Sequence, residues 1–141
     1  LVVLLLLVLS GCDLLPGLND EERAAAFIET ANDSPRDYAA MRDHFSSTAP
    51  NYDTINTQGY WDGTFFAESD RTFSTSGLTS GGAVDGIPGT SSLVGKVSSL
   101  NATDADITFG FVPEETNPNN RLIRVIIVDT GVDVYTYENI R

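Results

Sequence analysis

The chain is poor in the residues that most directly announce chemistry. Its 141 residues include one cysteine, Cys12, and one histidine, His44. A lone cysteine excludes an internal disulfide and a thiolate metal cluster, so stability must come from the core. Basic residues are scarce as well: Lys and Arg total 8 against 20 Asp and Glu, for a formal charge of −12, and Lys96 is the single lysine. Nucleic-acid binding depends on neutralising phosphates with Lys and Arg, so this composition excludes it. The acidic excess gives a soluble, self-repelling surface whose repulsion salt relieves. Long hydrophobic runs are lacking too. The longest, residues 1–9 (LVVLLLLVL), falls short of the roughly 20 apolar residues of a spanning helix and within the roughly 7–15 of an export-signal h-region.

That run leads at once into Ser10, Gly11 and Cys12. Small residues let the backbone enter a protease cleft, and only cysteine offers the thiolate that takes a lipid. The tetrapeptide Leu9-Ser10-Gly11-Cys12 resembles the lipobox of bacterial lipoproteins. The resemblance implies a diacylglyceryl thioether on Cys12, cleavage on its N-terminal side, and a location at the cell membrane or outer membrane, lipid-anchored and extracytoplasmic. Because each buried CH₂ contributes about 0.8 kcal/mol, two or more chains make release slow. The run opens without an initiator Met or a basic n-region, so the signal is expected to be truncated at its start. Asp13 resembles the inner-membrane retention signal of enteric bacteria.

This reading divides the chain into a signal peptide (1–11), a lipidated tether (12–18) carrying Pro16 and Gly17, and a single α+β domain (19–141). Removing residues 1–11 of the 141 leaves 130, a one-domain length able to bury roughly two-thirds of its surface. Asn19 followed by Asp20-Glu21-Glu22 predicts a capped helix over 20–31, with Ala24, Phe27, Ile28 and Ala31 at helical spacing. Ser34-Pro35 predicts a second helix over 35–46, with Tyr38, Met41 and Phe45 on its apolar face. Trp61 and Phe65 sit four apart, as on a short third helix.

The period then changes. A strand is expected near 71–76, and the Gly- and Ser-rich stretch 77–92 reads as a loop with few groups able to pack, the likeliest mobile segment. Strands follow at 93–100, 105–112, 121–128 and 132–138. The intervening turns are too short for parallel crossovers, so consecutive strands should pair antiparallel. Two or three N-terminal helices on a curved antiparallel sheet of four to five strands make an α+β domain. This element order is similar to the cone fold of the nuclear transport factor 2-like superfamily, which hosts both enzymes and binding domains.

Several constellations invite chemistry. Asp129-Thr130-Gly131 after Ile126-Ile127-Val128 resembles the catalytic segment of aspartic proteases, but too little chain follows, and a hairpin turn explains the same residues. His44 lies near the end of helix two, where a cationic imidazole favours the helix dipole; a base pairing with Asp43 or Asp53 is the alternative. Asp104 and Asp106 with Asn101 lack the full ligand set of a calcium loop. Gly95-Lys96 lacks the Ser or Thr of a phosphate loop. No cofactor or metal site is expected. Tyr52, Tyr60, Trp61, Phe65 and Phe66 serve first as core, since aromatics dominate small cores. In a curved sheet Tyr60, Trp61, Phe65 and Phe66 with Phe109 and Phe111 would instead line an apolar pocket.

Two functions follow. One is a non-catalytic lipoprotein domain that binds a small apolar ligand or an envelope protein partner. The other is an envelope hydrolase or isomerase using a carboxylate in the sheet concavity with His44 or a tyrosine.

Overall fold

The computed structural model describes residues 16–47, 52–61, 74–98, 105–132 and 134–138. Helix α1 spans Asp20–Ala31, as its sequence predicts. The Asn19 side chain accepts from the Glu22 amide at 2.9 Å and the Glu22 carboxylate accepts from the Asn19 amide at 2.9 Å. This reciprocal pair satisfies two donors at the helix start. Arg23, Ala24, Phe27 and Ala31 form its buried stripe.

Helix α2 is only Tyr38–Arg42, much shorter than 35–46. Asp37 is its N-cap, accepting from the Ala40 amide at 3.0 Å, so the helix starts after Asp37 and not at Pro35. It stops because the chain turns to pair with the sheet. The Ile123 amide donates to the His44 carbonyl at 2.9 Å, and the Ser46 amide donates to the Ile123 carbonyl at 2.8 Å. A 3₁₀ turn at Tyr52–Thr54 and a short helix α3, Gln58–Trp61, follow.

Five strands, β1 (Ser74–Gly81), β2 (Ser91–Ser98), β3 (Ala105–Pro113), β4 (Arg121–Asp129) and β5 (Val134–Glu138), form one antiparallel meander in sequence order. Helices before an antiparallel sheet is the α+β arrangement expected. The register aligns Leu93, Phe109 and Ile126 in one inward row. Registers shift in β1 between Ser76 and Thr79 and in β3–β4 between Gly110 and Phe111. Such bulges bend a strand and increase its twist. At the first, Leu78 fills the space over Gly95, where an added Cβ would lie 2.9 Å from its Cδ2 and 2.7 Å from the Ser76 carbonyl oxygen.

The expected loop 77–92 is corrected at both ends. Residues 77–81 continue β1 and Ser91 already belongs to β2, leaving 82–90. Within this loop only Val84 and Thr90 are buried, in keeping with a stretch that has few groups able to pack. Val84 is buried over Gly110 on the outer face of the sheet. Thr90 Oγ1 accepts from the Val84 amide at 2.8 Å and donates to the Ile87 carbonyl at 2.9 Å. Hydroxyl side chains thus supply what the short apolar content does not.

The inner face meets α1 through an aromatic cluster. Phe27 stands edge-on to Phe45 (centroids 5.8 Å apart) and Phe109 (6.2 Å), and 6.0 Å from Trp61. Trp61 Nε1 donates to the Ile55 carbonyl at 2.8 Å, so the indole is buried without losing its hydrogen bond.

Candidate functional site

A densely connected polar group lies where α1 crosses the start of β4. Arg23 sits in the buried stripe of α1, four residues before Phe27. Its guanidinium donates from Nε to the Arg121 carbonyl (2.7 Å), from Nη1 to His44 Nδ1 (3.1 Å) and from Nη2 to Asn120 Oδ1 (2.7 Å). Burial lowers its pKa, with Glu114 acting in the opposite sense. That carboxylate reaches Arg23 through Asn120, whose Nδ2 donates to Glu114 Oε2 at 2.9 Å.

The tautomer of His44 follows from its neighbours. Guanidinium can only donate, so Nδ1 accepts and the proton resides on Nε2. Thr30 Oγ1 donates to the Ala26 carbonyl (3.0 Å) and accepts from His44 Nε2 (2.9 Å). Both ring nitrogens are therefore occupied. Burial, then the Arg23 charge, lower the His44 pKa to about 4, with Asp43 opposing them. The expectation of a cationic imidazole at a helix end is thus corrected: the ring is neutral at pH 7, because a proton on Nδ1 would face a buried guanidinium.

A second arginine completes the junction. Arg121 Nε donates to Asp20 Oδ1 at 3.0 Å, and its Nη2 donates to Ser91 Oγ at 2.7 Å. Ser91 Oγ in turn donates to Asp20 Oδ2. The first turn of α1 is so tied to β2 and β4 at once. Immediately before it, the Leu18 amide donates to Asn120 Oδ1 (3.0 Å) and the Arg121 amide donates to the Leu18 carbonyl (2.8 Å).

In comparisons with protein families, curated proteins and solved structures, nothing matches the chain. The site is therefore read on its own geometry. Its donors and acceptors satisfy one another, which is the arrangement of a structural latch: a half-satisfied polar cluster would be costly at this depth, and a complete one fixes a unique packing. Among the described residues no group of three or more His, Cys, Asp or Glu is placed to hold a metal ion. Every described carboxylate is at least partly exposed.

The residues singled out from the sequence divide sharply. Trp61, Phe109 and Phe111 have no exposed surface, so these three rings serve as core and line no open pocket. Tyr60 is half-buried at the edge of the same cluster, 5.2 Å from Trp61. Cys12, Phe65, Phe66, Asn101 and Asp104 lie outside the described residues, as does the side chain of Asp53. Asp43 is not aimed at His44 for base work; it accepts from the Tyr52 hydroxyl at 3.2 Å. Asp106 forms an ion pair with Lys96 on the outer face. Asp129-Thr130-Gly131 is a turn: the Gly131 amide donates to Asp129 Oδ1 at 2.8 Å, and Gly131 has φ +83°.

Arg23, Asn120 and Arg121 were missed. A basic residue in line with Phe27 was the available signal for Arg23. Asn120 and Arg121 carried none, since their partners lie about a hundred positions away in the chain.

The outer face of the sheet carries a further open surface among the described residues. Thr79, Val94, Thr108, Ile127 and Thr136 align across all five strands. A shallow groove of about 520 Å³ covers the β1–β3 part of this row, lined by Ser76, Thr79, Val94, Lys96, Asp106 and Thr108 among others. Val132 and Val134, at the β4–β5 turn, are 89% and 62% exposed.

Proposed function

We propose that this chain is a lipid-anchored extracytoplasmic protein whose α+β domain acts by binding and not by catalysis. The apolar run ending in Leu9-Ser10-Gly11-Cys12 carries the anchor. No described helix is long and apolar enough to cross a membrane, so a lipid on Cys12 would hold the domain at the surface. The binding half is supported by the geometry of the latch: His44, the natural base for an enzyme, has its Nδ1 lone pair taken by Arg23 and its Nε2 proton by Thr30.

Of the two kinds of occupant, a protein partner is favoured over a small apolar ligand. Trp61, Phe109 and Phe111, three of the rings expected to line a pocket, are buried in the core, whereas Val94 on the sheet and Val132 and Val134 at the β4–β5 turn offer exposed apolar surface. Metabolic labelling with a radioactive fatty acid tests the anchor. The wild-type protein is expected to carry label and Cys12→Ser to carry none. Label retained by the serine variant, or absent from the wild type, overturns the proposal.

A further inference from the structure

Pro16–Leu18, expected to be tether, are hydrogen bonded to the domain. Leu18 is clasped from both sides by Asn120 and Arg121, and Asn117 Nδ2 donates to the Pro16 carbonyl at 3.4 Å. The fit is close. A Cβ at Gly17 would stand 2.5 Å from the Asn120 backbone, so only glycine lets the chain lie against the β3–β4 turn. The clasp consequently leaves fewer residues between Cys12 and the domain than the sequence suggests.

We infer that the clasp orients the domain on the bilayer, with the β3–β4 turn and the start of α1 facing the lipid surface and the β4–β5 turn pointing away. The inference rests on the proposed lipid at Cys12. Four chain steps separate Cys12 from Pro16, a reach of about 14 Å at most. The eight steps of β4 from Arg121 to Asp129 extend roughly 26 Å away from the clasp. The clasped end therefore stays near the headgroups, while Val132 and Val134 are carried beyond the reach of the tether. A chain of net charge −12 is repelled by anionic headgroups and does not adsorb on them. The clasped end is itself acidic, with Asp20, Glu21 and Glu22 in the first turn of α1 and Glu114 and Glu115 in the β3–β4 turn, so it is the lipid tether and not charge that holds this end close. The exposed valines are thereby presented away from the membrane, where a partner protein can reach them.

The test uses the lipidated protein in vesicles of phosphatidylethanolamine and phosphatidylglycerol that contain a headgroup-attached spin-label quencher. With Cys12 blocked by lipid, Asn119→Cys and Val132→Cys each supply one free thiol for a fluorophore. Quenching is expected to be severalfold stronger at 119 than at 132. Inserting twelve Gly and Ser residues between Leu15 and Pro16, which leaves the domain and its clasp untouched, is expected to abolish the difference. Equal quenching at the two positions, stronger quenching at 132, or a difference that survives the insertion overturns the orientation. The intact mass separates this failure from that of the anchor: a protein without the added lipid mass overturns both, whereas lipid mass with equal quenching overturns the orientation alone.

Discussion

The histidine titration offers the sharpest test of the latch, because His44 is the only imidazole in the chain and gives one resonance to follow. Its folded pKa lies at about 4, well below the ordinary 6.5, chiefly through burial and secondarily through the Arg23 guanidinium, with Asp43 pulling the other way. Thr30 and Phe27, which also face the ring from α1, carry no charge. The unfolded chain takes up a proton near pH 6.5 and the folded one does not until about pH 4. The contribution to stability is thus fully present above pH 6.5 and is lost as pH falls from there toward 4. A fully desolvated ring with this shift would give about 3 kcal/mol; the ring is partly open to solvent, so about 1–2 kcal/mol is the magnitude to look for. Proton NMR across pH 3–8 should show a midpoint far below 6.5 in the wild type. Arg23→Met should raise it, though not to 6.5, since burial remains. Urea denaturation at pH 7 and pH 5, where most carboxylates stay ionised, should show a loss in the wild type that His44→Gln does not share. A wild-type midpoint at or above 6.5 refutes the neutral, doubly bonded imidazole and the latch built on it.

Two further predictions address the packing. Phe27→Ala removes the ring at the centre of the aromatic cluster, which has no exposed surface, and should destabilise the fold by about 3–5 kcal/mol in denaturant titration. A loss below about 1 kcal/mol would mean that Trp61, Phe45 and Phe109 are not held together by it. Gly95→Ala places a methyl group 2.7 Å from the Ser76 carbonyl oxygen, so β1 must shift; a loss of about 1–3 kcal/mol is expected, visible also as faster amide exchange along 76–80.

The local half of this architecture was legible in the sequence. Asn19 and Glu22 lie within one turn of each other, so α1 could be placed to the residue, and the alternation in 105–112 and the apolar run in 121–128 placed β3 and β4 within a residue. The turn at Asp129-Thr130-Gly131 was likewise recognisable, because its hydrogen bonds close within two residues.

Other elements took their form from distant partners. Helix α2 stops early because residues 44–46 pair with Ile123, some eighty positions away. The stretch STSGLTSG of β1 has little strand character of its own and is extended because β2 lies beside it. The same distinction governs the site. Cys12 stands out in sequence because the chemistry proposed for it depends on its immediate neighbours. The latch does not, because Arg23, His44 and Asn120 are brought together only when α1 packs on β4. The sequence alone thus determined the capped helix and the antiparallel order of strands, both set by signals a few residues apart. The tertiary structure alone decided which polar side chains meet, which aromatics are sealed, and where the chain leaves the domain, because each depends on contacts between segments that neither pattern nor propensity encodes.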